Sequence, residues 1–161
     1  MEGTPRAGTA SDALNAMDDL IATNVVAQQE FARNLGLSVT DLICFAYVLQ
    51  SPDSPVTAGD LAARAHVTTG AVTGVLNRLE RGGFVTRRQD PADRRRVRVS
   101  AVPEAAERVR AVYEPYYARL AELLATYTPD EVAVLADWFT RAGALARSYL
   151  EDSCESGSSS R

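Results

Sequence analysis

The sequence predicts a mainly α-helical fold carrying a single two-stranded β-hairpin. Three observations lead to that expectation. Apolar side chains recur at helical spacing along six segments. The period changes to two in "FVTRRQ" (84–89) and "RVRVSAV" (96–102), with the charged stretch "DPADRR" between them. Glycine, proline, and Ser/Thr residues followed by an acid three positions on mark where the helices stop and start.

The elements follow in order. In "SDALNAMDDLIATNVVAQQEFARNLG" (11–36), Ser11 is the expected N-cap and Gly36 suits the stop. Leu14, Met17, Leu20, Ile21, Val25 and Phe31 fall near helical spacing between them. In "LSVTDLICFAYVLQ", Ser38 with Asp41 three residues later resembles a capping box, with Asp in place of the usual Glu. Leu42, Ile43, Phe45, Ala46 and Leu49 make this a heavily buried helix. "SPDSP" (51–55) is a loop, since its prolines cannot continue a helix. "VTAGDLAARAHV" gives a short helix capped by Thr57, with Asp60 three residues on and Leu61, Ala62 and Ala65 as its apolar face. After a brief turn at His66 and Val67, "TTGAVTGVLNRLERGG" starts at the N-cap Thr68 and ends at Gly82 and Gly83. Its Val72, Val75, Leu76 and Leu79 stand at i, i+3, i+4 and i+7 on one face. Beyond the hairpin, "PEAAERVRAVYEPYYARLAELLATY" starts at Pro103, a good first-turn residue, and Pro115 is expected to kink it or shift its start. "TPDEVAVLADWFTRAGALARSYL" opens with Thr128, Pro129 and Glu131, a full capping box, and carries the stripe Val132, Leu135, Trp138, Phe139 and Leu145. The small polar residues 1–10 and the Ser-rich residues 151–161 are expected to be disordered.

Composition bounds the function. A chain of 161 residues buries one full core, with room for one or two small subdomains. "MEGTPRAGTASD" lacks the basic and then apolar pattern of a signal peptide, and charges interrupt every apolar run. A soluble cytoplasmic protein, associated with the nucleoid and with no membrane partner, is expected. Cys44 reads as a buried thiol and Cys154 as a tail thiol rather than a disulfide pair. His66 is the one histidine and has no Cys/His cluster around it, so no metal or other cofactor is expected. Without a nucleophile–base–acid set or a phosphate loop, no catalytic residue can be named and enzyme chemistry has little to stand on.

Charge position is more informative than charge total. The net charge is −4, yet from Arg78 to Arg98 eight arginines face three acids, a local +5 on a body of −9. That is an electrostatic footprint for a polyanion, or else a solvated basic loop. Residues 57–102 run helix, turn, helix, then a hairpin with a basic tip, and the second helix of such a motif enters the major groove of DNA. Opposite its apolar face that helix carries Thr69, Gly70, Thr73, Gly74, Asn77 and Arg78, small or hydrogen-bonding side chains. Gly70 and Gly74 suit close approach to DNA, or are tolerated by packing. Thr68 and Thr69 stand at the N-terminus, where free N–H groups bind phosphate. Arg94 and Arg95 at the hairpin tip would enter the minor groove, with Arg96 and Arg98 alternating with inward-packed Val97 and Val99. Asp93 orients an arginine, solvates the tip or caps a turn, and Asp90 with Pro91 reads as turn chemistry.

Residues 37–102, and above all "GDLAARAHVTTGAVTGVLNRLERGGFVTRRQDPADRRRVRVS", resemble the winged helix-turn-helix of the multiple-antibiotic-resistance regulator (MarR) family of bacterial transcription factors. The long flanking helices extend the likeness to about residues 11–150. The resemblance implies that residues 38–102 are the DNA-binding domain and that 11–37 with 103–150 form a helical dimerisation domain. It maps Thr68 to Arg78 onto the recognition helix, Arg95 onto the minor-groove arginine of the wing, and Asp93 onto the acid that holds it. "SAVPEAAE" departs from the family's usual Leu-Thr-Glu helix start, so Pro103 must initiate that helix.

The function expected is a sequence-specific, double-stranded-DNA-binding regulator, a repressor acting as a homodimer on a pseudo-palindromic operator. Met17, Leu20, Leu120, Leu124, Val134, Leu135 and Trp138 are the candidate dimer contacts, unless they form a monomer core. Family members often bind small aromatic acids or other anions, which would release the protein from DNA. Phe31, Phe45, Tyr47, Tyr113, Tyr116 and Tyr117 could line such a pocket or simply fill the core, and the sequence names no ligand. The competing reading is a helical interaction module whose basic hairpin binds an acidic protein partner.

Overall fold

A computed structural model describes residues 8–52, 54, 56–91, 93 and 96–158, with side chains as far as 152. Six helices and three strands occur among the described residues. They are α1 (Ala10–Asn34), α2 (Val39–Leu49), β1 (Val56–Thr57), α3 (Ala58–Arg64), α4 (Thr69–Arg81), β2 (Val85–Gln89), β3 (Val97–Ala101), α5 (Pro103–Leu124) and α6 (Pro129–Ser158).

The helix starts follow local chemistry. Ser38, Thr57 and Thr128 each accept from the N–H three residues on, while Asp41, Asp60 and Glu131 accept from the N-cap N–H in return. Four orphan donors at each helix start are partly satisfied this way, and the acid complements the helix dipole. The cap of α1 is Thr9 rather than Ser11, because only Thr9 has an acid, Asp12, at the reciprocal position. The chain is therefore helical from Ala10, and at the other end α6 continues through Ser158, past the expected limit at residue 150. No proline follows Pro129, and the first glycine past Gly143 is Gly157, so nothing local stops the helix earlier.

Three helix ends share one geometry. Gly36 (φ 69), His66 (φ 51) and Gly83 (φ 67) are left-handed, and the following N–H groups of Leu37, Val67 and Phe84 reach back to Ala32, Ala62 and Leu79. This six-to-one bond satisfies a carbonyl that the helix leaves open. His66 takes a conformation that glycine adopts without strain.

The hairpin belongs to a larger sheet than expected. β1 pairs antiparallel with β3, so the order is β1-β3-β2, with Val56 opposite Val99 and Arg87 opposite Val99 from the other side. One face of the sheet presents Val56, Val85 and Val99 to the core. The core joins them to Cys44, Phe45, Val48, Leu61, Val72, Val75, Leu76, Leu79, Phe84 and Ala105. Three expectations about packing change. Ile43 is 43% exposed, and Ala46 three residues on is exposed as well, both on the outer side of α2. Val97 shares a face with Val99 but is 41% exposed, because it pairs with Gln89 at the end of the ribbon farthest from the core-lining Val85.

The chain divides into two compact units, through Glu114 and from Pro115. The first holds the sheet, the core and α1–α4. Tyr113 donates to Gln28 Oε1 at 2.6 Å and packs on Phe31 at 4.5 Å between ring centroids, tying the middle of α5, just before Pro115, to α1. The second unit holds the end of α5 and α6. The helix does not restart at Pro115; α5 is continuous through it, and the unit boundary falls where the Ala111 carbonyl lacks a donor. Among the described residues no single helix is long and apolar enough to cross a membrane.

Candidate nucleic-acid interface

Helix α4 has two faces. Val72, Val75, Leu76 and Leu79 are buried, and Thr69, Gly70, Thr73, Asn77 and Arg78 are exposed with Gly74 half-buried. Thr68 caps the helix by accepting from the Ala71 N–H at 3.2 Å. Thr73 Oγ1 donates to the Thr69 carbonyl at 3.0 Å, while the residue stays exposed. A Cβ on Gly70 would meet only the Thr68 hydroxyl at 4.0 Å, and one on Gly74 the Arg78 guanidinium at 3.6 Å. Neither glycine is demanded by packing inside the chain, nor does either have a positive φ.

Arg78 is anchored. Its Nε and Nη2 donate to both oxygens of Asp41, Nη2 to Oδ1 at 2.7 Å and Nε to Oδ2 at 3.1 Å. This fork joins the start of α2 to α4 across 37 positions of sequence. Asp41 is buried while the Arg78 side chain is 49% exposed, so the guanidinium edge away from the carboxylate still meets solvent. Burial is the largest single influence on Asp41 and opposes its charge. Hydrogen bonds from Arg78 and from the Ser38 N–H and hydroxyl, with the Arg78 charge, outweigh it and hold the carboxyl below its ordinary range.

The wing is braced by a pair that the sequence reading missed. Asp90 is 6% exposed, and Arg98 Nε donates to its Oδ2 at 2.7 Å. The Asp90 N–H donates to the Arg96 carbonyl at 2.9 Å, and the Arg96 N–H to the Asp93 carbonyl at 2.9 Å. Arg98 stands directly opposite Arg88 on the sheet face away from the core, where like charges repel unless an anion intervenes. Asp90 supplies that anion. Its signal was the hairpin register, which places residue 90 beside the strand carrying residue 98. Arg96 is exposed, and its charge together with that of Arg64 helps lower the Asp60 carboxyl, after the larger hydrogen bonds from the Thr57 backbone and hydroxyl. Arg94 and Arg95 lie outside the described residues, so the geometry of Asp93 toward Arg95 does too.

A third arginine links wing and helix. Arg87 on β2 donates from Nη2 to Asn77 Oδ1 at 2.6 Å, and its Nε lies 3.2 Å from Glu80 Oε2 as an ion pair. Helix α4, strand β2 and helix α2 are thus joined by two arginines and three oxygen-bearing side chains.

A family model described as "MarR family" matches residues 35–96. The Bacillus subtilis HTH-type transcriptional regulator YcgE is 32% identical over 127 residues, 79% of this chain and 81% of its own. The chain belongs to the MarR family. A Mycobacterium tuberculosis HTH-type transcriptional regulator, MT0903.1, is 34% identical over 78% of this chain and 87% of its own length. Among solved structures, Streptococcus pneumoniae FabT in complex with DNA superposes with a TM-score of 0.68 at 22% identity, covering 86% of this chain and 98% of that one. MarR itself superposes with a TM-score of 0.61 at 22% identity, over 83% and 96%. The fold is therefore the winged helix-turn-helix of MarR proteins, the protein is a transcriptional regulator, and its relatives are regulators rather than enzymes.

The remaining site residues divide by unit. Met17 is half-buried and Leu20 is 50% exposed on α1. In the second unit Leu120 and Leu135 are half-buried, while Leu124 and Trp138 are more than two-fifths exposed. Of the aromatic residues considered for a ligand pocket, Phe45 is fully buried in the core against Phe84. Burial raises the Cys44 thiol above its ordinary range, with the Asp41 charge adding to the effect, which makes it a weak nucleophile.

Proposed function

We infer that this MarR-family protein is a homodimeric repressor that binds double-stranded DNA at a pseudo-palindromic operator. In this reading residues 38–102 bind DNA, and residues 11–37 with 103–150 make the dimer. Thr68, Thr69, Gly70, Thr73, Gly74, Asn77 and Arg78 face the major groove. Arg94, Arg95 and Arg96 grip the flanking minor groove and its phosphates, and Asp93 orients Arg95. The observation that carries the reading is the two-faced α4, with a small, polar, exposed side next to an arginine-rich ribbon. A side chain larger than Gly70 or Thr73 would hold the helix off the base edges. Two copies would read half-sites about 10–10.5 bp apart, centre to centre. The relative YetL of Bacillus subtilis, 27% identical, is a transcriptional repressor, and FabT was crystallised with DNA; both agree with this assignment. A small aromatic or other anionic ligand is the effector class that the family implies.

Binding to DNA from around the protein's own gene tests the proposal. Affinity is expected to fall by orders of magnitude between about 50 and 200 mM salt, as several counterions are released. Arg95→Ala should weaken binding to sites with A·T-rich flanks while the dimer persists. Absence of binding at 50 mM salt would sink the proposal.

A further inference from the structure

The Arg87–Asn77 contact fixes more than the wing. Arginine offers only donors, so the Asn77 amide must turn its oxygen toward Arg87 and its NH2 outward. The bond is short and charge-assisted, at 2.6 Å. Arg87 is itself constrained: its side chain is 22% exposed, its buried Nε lies 3.2 Å from Glu80 Oε2 as an ion pair without hydrogen-bond alignment, and its backbone sits opposite core Val99. Asn77 therefore reaches solvent as a donor. A bidentate asparagine–adenine pair needs the amide oxygen to accept from N6 while the NH2 donates to N7. Here one lone pair of the oxygen already accepts from a cation, whose charge repels the N6 donor of adenine and the N4 donor of cytosine from the other. The two N–H groups of the amide instead suit the adjacent O6 and N7 acceptors of guanine.

We propose that Arg87 is a positioning residue that sets base preference by presenting Asn77 as a donor-only reader of guanine. This rests on the reading that α4 lies in the major groove. The test is selection of bound sequences from random DNA, followed by affinity measurements on the selected site and on its guanine-to-adenine variants. The wild-type protein is expected to prefer guanine by about tenfold at one position in each half-site, and Asn77→Ala to lose that preference. Arg87→Met frees the amide oxygen and should bring the guanine-to-adenine ratio there close to one or below. Arg87→Lys should retain the preference. Glu80→Gln, which loosens Arg87 without touching Asn77, should lower the ratio by a smaller factor. An Arg87 that only contacts phosphate or supports the fold would weaken both sites equally, and an unchanged ratio in Arg87→Met overturns the proposal. So does an adenine preference at the Asn77-dependent position of the wild-type site. If the wild-type protein enriches no sequence at all, the regulator reading fails first and takes this one with it.

Discussion

At the scale of single residues, the Asp41 carboxylate does two jobs. It closes the capping box of α2 and receives the Arg78 fork. Both depend on its negative charge, and its depressed pKa states how the fold depends on pH. A carboxyl whose folded pKa lies below its unfolded value stabilises the protein above the unfolded value, near 3.8 here, and loses that contribution as pH falls through the folded one. Asp41→Asn is accordingly expected to lower stability by about 2 kcal/mol at neutral pH, the scale of a charged hydrogen bond lost in a buried site. The gap between wild type and variant should then narrow on acidification below about pH 4, as measured by urea unfolding at a series of pH values. A gap independent of pH would show that the charge is not what matters. Half of this arrangement was readable in advance. Ser38 and Asp41 are three residues apart, and capping is a local rule. The Arg78 partner was not readable, because nothing in a string of residues says which of 21 acids a given arginine will meet once the chain has folded. Asp90 with Arg98 shows the intermediate case: eight positions apart, they meet only once the hairpin register is known.

At the scale of elements, four helix starts were legible to the cap residue, Ser38, Thr57, Thr68 and Thr128, while the α1 cap, the α6 end and part of the sheet were not. β2 and β3 announced themselves by period two over several residues. β1 is two residues long, too short for any period, and exists because Val56 completes a row beside Val99. The junction between α4 and β2 is the element on which the wing's aim depends, and its two glycines serve different ends. Gly83 has φ 67 and open space around a would-be Cβ, so its need is conformational. Gly82 has an ordinary backbone, but a Cβ there would lie 2.9 Å from the Phe84 ring and 3.3 Å from the Arg78 carbonyl. Phe84 is wedged against Phe45 in the core and covered by the Arg108 guanidinium, so it has little room to yield. Gly83→Ala is expected to cost about 1–2 kcal/mol, with Gly83→Asn costing less because asparagine tolerates the left-handed region. Gly82→Ala should also destabilise, and in addition weaken DNA binding beyond the loss in folded fraction, since moving Phe84 moves β2 against α4. Thermal melts paired with DNA titrations distinguish the two, and normal DNA affinity in folded Gly82→Ala would refute the second.

At the scale of the whole molecule, charge and apolar surface are both unevenly placed. The segment from Arg78 to Arg98 carries a net +5 while the rest of the chain carries −9, which favours that segment as the place where DNA meets the protein. Each compact unit also leaves large apolar side chains in water: Leu14, Leu20, Ile21 and Val25 on α1, and Val134, Trp138, Leu145 and Tyr149 along α6. Val134 and Leu145 are 70% and 73% exposed, and the four α6 residues recur at spacings that keep them on one side of the helix. Continuous apolar faces of this kind mark association sites in soluble proteins. The sequence showed the stripes but could not distinguish an internal core from a subunit contact, because periodicity is the same for both. Under the proposed homodimer, a second copy of the chain would cover these faces. The protein is expected to sediment as a dimer at micromolar concentration, and its melting temperature should rise with concentration, since the association stabilises the folded form. Trp138→Asp, placing a charge in the middle of the α6 face, should yield a monomer whose melting temperature no longer depends on concentration. That monomer should bind a full operator no more tightly than a single half-site. The α2–α4 core of the variant, remote in sequence from the change, should give an unaltered near-ultraviolet signature for Phe45 and Tyr47. A wild-type protein that stays monomeric through this range, with a constant melting temperature, would overturn the dimer and leave each helix-turn-helix to act alone.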